Sequence, residues 1–102
     1  MIVEENASFQ GGDVGAFRLW VQSNMVYPTA AAEAGIAGKV IVQFAVNSKG
    51  QVVDARVLRS IHPDLDKEAL RCLLSSPPWV PGKQGGKSVK QQFTIPIVFQ
   101  LQ

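Results

Sequence analysis

The sequence predicts an α+β fold: a three-stranded antiparallel sheet with two main helices packed on one face, in the order ααββαβ, and with the last strand at the sheet edge. Three observations predict it. Two alternating apolar runs flank the turn Asn47-Ser48-Lys49-Gly50. An amphipathic helical pattern follows at 62–76, and a second period-two run closes the chain. The 102 residues are enough for one core, and 46% apolar with 18% charged residues is an ordinary globular balance.

The elements can be justified in order. Residues 1–12 carry few structural signals and read as an N-terminal extension of a domain over 13–102. Asp13 can cap a helix over about 13–23, because its carboxylate can accept from the first-turn N–H groups. Val14, Phe17 and Val21 then recur on one helical stripe. Tyr27-Pro28 breaks that helix. Pro28 suits the first turn of a second, Ala-rich one, which Gly35 ends.

Gly38 opens the hairpin. Val40, Val42, Phe44 and Val46 alternate on the way out, and Gly50 takes the turn position that needs positive φ. Val53, Ala55 and Val57 are expected to continue the apolar face on the return strand. In the next helix Pro63 fits the first turn, and Asp64, Asp66 and Glu68 favour the positive N-terminal end. Leu65, Ala69, Cys72 and Leu73 form its apolar stripe, and Pro77-Pro78 stops it. From Ser88 onward, Val89, Phe93, Ile95, Ile97 and Phe99 share one parity, which predicts a strand of roughly twelve residues with one buried face. Pro96 has no N–H for a ladder, so this strand belongs at an edge.

Charge and composition exclude several functions. A net charge of +2 supplies no basic field for nucleic acid. Cys72 and His62 are single residues of their types, so no internal disulfide and no multi-cysteine or His-rich metal site is expected. No cofactor is implied. No apolar run reaches membrane-spanning length.

The candidate sites then narrow. Gly86-Lys87-Ser88 resembles half of a phosphate loop, but Pro81 stands where the motif's first glycine belongs. A strand rather than a helix follows. Ser60, His62, Asp64 and Asp66 include the residue types of a hydrolase, yet they run from a strand end into a helix start, where capping explains them. Cys72 lies on the apolar helix stripe and reads as a buried structural thiol. Trp79, between prolines and beside Pro81 and Gly82, reads as a core anchor that pins its loop, with the lining of a peptide groove as the alternative reading. The edge strand remains. A long regular edge is a liability unless covered or used, and it can accept an extended peptide as an added strand. If the Pro96 position faces outward, Gln92, Thr94 and Val98 face outward with it, and the odd residues pair inward.

A wider pattern supports this reading. Tyr27-Pro28, "GKVIVQFAVNSKGQV", "VLRS", "LDKEAL", "PPWVPGKQGGKSV" and "FTIPIVF" together resemble the C-terminal domain of the TonB family of energy transducers. The resemblance runs from about residue 8 to 100. It makes Pro28, Gly35, Gly38, Gly50, Leu65, Asp66, Trp79, Pro81 and Gly82 structural motif positions. It implies a non-catalytic periplasmic domain, tethered to the inner membrane by an N-terminal helix and a proline-rich spacer outside this chain, where motor proteins act. It also implies that the TonB-box peptide of outer-membrane transporters pairs with the last strand. Val89, Lys90, Gln92, Thr94, Pro96 and Val98 would then meet the partner, with Asn24, Met25, Val26 and Tyr27 as a second contact. Two alternatives stay open: a TonB-like ligand-binding domain of a membrane sensor protease, and a homodimer paired through the edge strands.

Overall fold

Asp13 does open the first helix. In the computed structural model, which describes residues 3–101, its Oδ1 accepts from the N–H groups of Gly15 at 2.9 Å and Ala16 at 3.3 Å. Helix α1 spans Val14–Asn24 and buries Phe17 and Val21, two members of the expected stripe. The short α2, Thr29–Glu33, ends as a Schellman turn: Gly35 stands at φ +70°, and the Ile36 N–H reaches back to the Ala31 carbonyl.

Strand β1 (Gly38–Val46) pairs antiparallel with β2 (Val52–Arg59), and α3 (Pro63–Leu74) follows. The last strand, β5 (Gln91–Phe99), returns to β1, so the sheet order is β2-β1-β5 with the first strand central. Helices α1 and α3 cover one face. α1 lies against β5 and α3 against β2 and β1. Val40, Val42, Phe44, Ile95, Ile97 and Phe99 meet Leu65, Ala69, Cys72 and Leu73 in one continuous core.

Three features depart from the sequence reading. The closing strand is shorter than predicted, because the loop before it is itself a hairpin. β3 (Gly82–Gln84) pairs with β4 (Lys87–Val89) across Gly85 and Gly86, both at positive φ as a two-residue primed turn requires. The chain breaks at Lys90, so Val89 lies in this small ribbon opposite Gly82, not on the edge of the main sheet. Second, Val53 is not on the core face. Ala45 pairs with Val53 while Gln43 pairs with Arg56, which leaves two residues opposite Phe44. The bulge is taken up at Asp54, at φ +54°, and it turns Val52 rather than Val53 toward the core. Third, the N-terminal residues are not loosely placed. Ser8 and Val80 exchange backbone hydrogen bonds at 2.9 Å, and Ala7 and Phe9 are buried.

Phe9 joins an aromatic cluster centred on Trp79, whose ring centroid lies 4.9–5.9 Å from those of Phe9, Phe17, Phe44 and Phe93. Such tilted contacts add to simple burial. The indole N–H donates to Ser76 Oγ at 3.1 Å, and the Trp79 backbone N–H to the Gly50 carbonyl at 2.8 Å. The loop therefore anchors the β1–β2 turn as well as introducing β5.

Candidate partner-binding edge

The sheet has two edges, and they are not alike. β2 is interrupted by two register shifts, at Asp54 and at Leu58. Bulges of this kind blunt an edge against further pairing. β5 pairs with β1 over nine consecutive residues, Gln91 to Phe99, without a shift. Its outer edge is therefore regular.

The direction of its polar groups follows from one contact. The Val98 N–H donates to Gln22 Oε1 at 2.9 Å, and Gln22 Nε2 donates to the Val98 carbonyl at 2.9 Å. Gln22 belongs to α1, on the far side of β5 from β1. Val98 thus faces outward, and strand alternation sends Gln92, Thr94 and Pro96 the same way. Phe93, Ile95 and Ile97 point their backbone groups at Phe44, Val42 and Val40. Among the described residues, no side chain bonds to the backbone of Gln92, Thr94 or Pro96, so the edge is open there. At Val98 it is occupied.

The side chains of the edge face away from the helices. Gln92 and Thr94 are exposed, and Pro96 and Val98 are half-buried. Lys90 stands just outside β5, and its ammonium pairs with Asp54 across the outer face of the sheet. Both groups are more than half exposed, so the pair contributes little to stability.

The second predicted contact, Asn24 to Tyr27, reaches β5 only at the C-terminal end of that strand. Tyr27 packs edge-on against Phe99 at 5.6 Å, and its hydroxyl donates to the Ile36 carbonyl. Asn24 Nδ2 is turned back to the Trp20 carbonyl at 2.8 Å, and Met25 packs against the core. Val26 is 67% exposed, beside Glu68 and Arg71 of α3.

These α3 residues carried no signal in the sequence beyond helix polarity. Glu68 Oε2 accepts from the Val26 N–H at 2.6 Å, while Oε1 and Oε2 also take Arg71 Nε and an Arg71 terminal nitrogen at 2.6 and 2.7 Å. Arg71 holds the Glu68 carboxyl below its ordinary value, against the opposing effect of burial, and the Val26 N–H lowers it further. A carboxylate held low in the folded chain contributes stability above its unfolded pKa, near 4.5, and loses it as pH falls through the folded value. The Val26 amide resonance is therefore expected to titrate below pH 4.5, as Glu68 lets go, and to stay flat in Glu68→Gln. A Val26 titration that is the same in Glu68→Gln as in the native chain would contradict the tether.

Cys72 is buried beside this pair. Burial first, and the Glu68 carboxylate second, push its thiol up to about 11, which keeps it protonated near neutral pH. His62 caps α3, its Nδ1 accepting from the Asp64 N–H at 3.1 Å, and Ser60 Oγ donates to Asp66 rather than to His62. His62 thus bonds the helix N-terminus and not Ser60, so the serine and the imidazole are not brought together. Among the described residues no group of acidic, His or Cys side chains could hold a metal, and no helix is long and apolar enough to cross a membrane.

The domain is a small α+β fold with one blunted and one regular sheet edge. The chain belongs, more specifically, to the family of the Gram-negative bacterial TonB protein C-terminal domain, whose profile matches residues 23–101. It is 32% identical over 77 residues to the protein TonB of Pseudomonas aeruginosa, across 76% of this chain but 22% of that protein. The chain thus spans about a fifth of that relative. Its fold matches the solution structure of the Helicobacter pylori TonB C-terminal domain with a TM-score of 0.65, at 26% identity, covering 85% of this chain and 91% of the other. It matches that of the Pseudomonas aeruginosa domain with a TM-score of 0.63, at 31% identity, covering 78% and 81%.

Proposed function

We propose that this is the periplasmic, transporter-facing domain of a TonB-type energy transducer. It is a binding module, not a catalyst. It takes the TonB-box motif of an outer-membrane transporter as an added strand along β5, and it passes on work drawn from the proton-motive force by inner-membrane motor proteins. The observation that carries the reading is the asymmetry of the sheet: β5 is regular and open from Gln92 to Pro96, while β2 is interrupted twice. Each main-chain hydrogen bond gained along such an edge contributes about 0.5–1.5 kcal/mol net, so a few of them give a reversible contact suited to repeated engagement.

Titration with a TonB-box peptide, followed by amide shifts, tests this. The largest shifts are expected at Gln92, Thr94 and their neighbours, with little change at Val53–Arg59. Shifts confined to the β2 side, or to the Asn24–Tyr27 segment, would overturn it.

A further inference from the structure

Gln22 does more than pack α1 on the sheet. Its one amide both accepts from the Val98 N–H and donates to the Val98 carbonyl, each at 2.9 Å. That is what a residue of a neighbouring antiparallel strand does when it exchanges both bonds with its opposite. A helix side chain here imitates a strand.

Its position on the edge matters as much as its geometry. Pro96 has no N–H, so the outward donors of β5 are those of Gln92, Thr94 and Val98, and Gln22 holds the third. At the other end of β5 the N-terminal segment holds only the Gln91 side chain. The Ala7 N–H donates to Gln91 Oε1 at 2.8 Å, and Gln91 Nε2 donates to Asn6 Oδ1 at 2.9 Å. With Val98 held by Gln22, the open stretch is a window of four steps, about 13 Å, between Gln92 and Pro96.

We infer that Gln22 is an internal competitor for the partner strand: it occupies the last outward pair of β5, limits a bound peptide to the Gln92–Pro96 window, and must be displaced before pairing can extend to Val98. The inference rests on strand addition at β5 and adds its regulation. A peptide that stops at Pro96 leaves α1 in place. One that runs on to Val98 has to break two hydrogen bonds of α1, so full engagement is coupled to release of the helix from the sheet. Affinity for long partner strands is held down in the resting domain, and any pull that lifts α1 exposes an additional pairing site.

The test uses the whole chain, in native form and as Gln22→Ala and Gln22→Met; the second keeps side-chain length without the amide. The probe is a capped peptide, acetyl-Glu-Thr-Val-Thr-Val-Thr-Lys-amide. In the free protein, exchange of the Val98 amide is expected to accelerate at least tenfold in both variants, with Ile95 and Ile97 unchanged. With peptide, the native chain should gain protection at Gln92 and Thr94 only. The variants should gain it at Val98 as well, with about tenfold tighter binding. Protection confined to Gln92 and Thr94 in all three proteins, with equal affinity, would overturn the competitor role while leaving strand addition standing. Absence of protection at Gln92 and Thr94 in every protein would overturn strand addition itself, and the competitor role with it.

Discussion

Gly50→Ala is expected to destabilise the domain by at least about 3 kcal/mol, lowering Tm by at least about 12 °C. Two effects combine. Gly50 sits at φ +81°, a conformation that costs an alanine about 1–2 kcal/mol. A Cβ placed there would stand 2.1 Å from the Trp79 carbonyl oxygen and 3.1 Å from its carbon, both backbone atoms that no rotamer change can move. The turn would have to lift off the loop, giving up the bond from the Trp79 N–H to the Gly50 carbonyl and disturbing the indole that four aromatic rings surround. Gly85→Ala is the control. Gly85 also has positive φ, +57°, but an added Cβ meets nothing within 4 Å, so its cost should stay near the conformational part alone. Thermal unfolding of the two variants separates strain from collision. Equal losses would mean that the turn is not pressed against Trp79.

That contact also shows what the sequence could carry. The glycine of "NSKG" signals a turn by itself, and so does Asn47, whose Oδ1 accepts from the N–H groups of Lys49 and Gln51. Which loop the turn packs on is a tertiary fact. The two long helices and strands β1 and β5 were legible because periods of 3.6 and 2 separate cleanly over nine to twelve residues. Composition predicts only a loop where the β3–β4 hairpin stands. Its Gly85-Gly86 signal was present, but strands of three residues show no period. The bulges at Asp54 and Leu58 were invisible for a related reason: one inserted residue shifts the apolar phase from Val53 to Val52, and both are valines. At the site, Pro96 marked the edge and fixed the parity that the Gln22 contact supports. Gln22 itself could not be read. A glutamine at the end of an amphipathic helix has no local signature that distinguishes a solvated amide from one clamped on a strand 76 positions away. The contact restricts the original expectation for Val98, whose N–H faces outward but is already bonded.

Thr94→Pro is expected to weaken peptide binding by at least tenfold while leaving the fold largely intact, and Ile95→Pro to do the reverse damage first, destabilising the domain by roughly 3 kcal/mol or more. The two positions are adjacent, so location is nearly held constant while the direction of the backbone and the burial of the side chain change together. At Thr94 the lost N–H points away from β1, the side chain is exposed, and the chain already tolerates proline two residues on, at Pro96. The ring takes away one donor from an incoming strand and puts its own bulk where that strand must lie. At Ile95 the lost N–H belongs to the ladder opposite Val42, and the side chain, 4% exposed, leaves the core. Thermal unfolding should therefore rank Ile95→Pro far below Thr94→Pro, whereas peptide titration should find binding lost in Thr94→Pro at temperatures where its spectrum is still native. Comparable folding losses at both positions would mean that the outward and inward residues of β5 had been exchanged. Native-like binding by Thr94→Pro would mean that the partner does not use this edge.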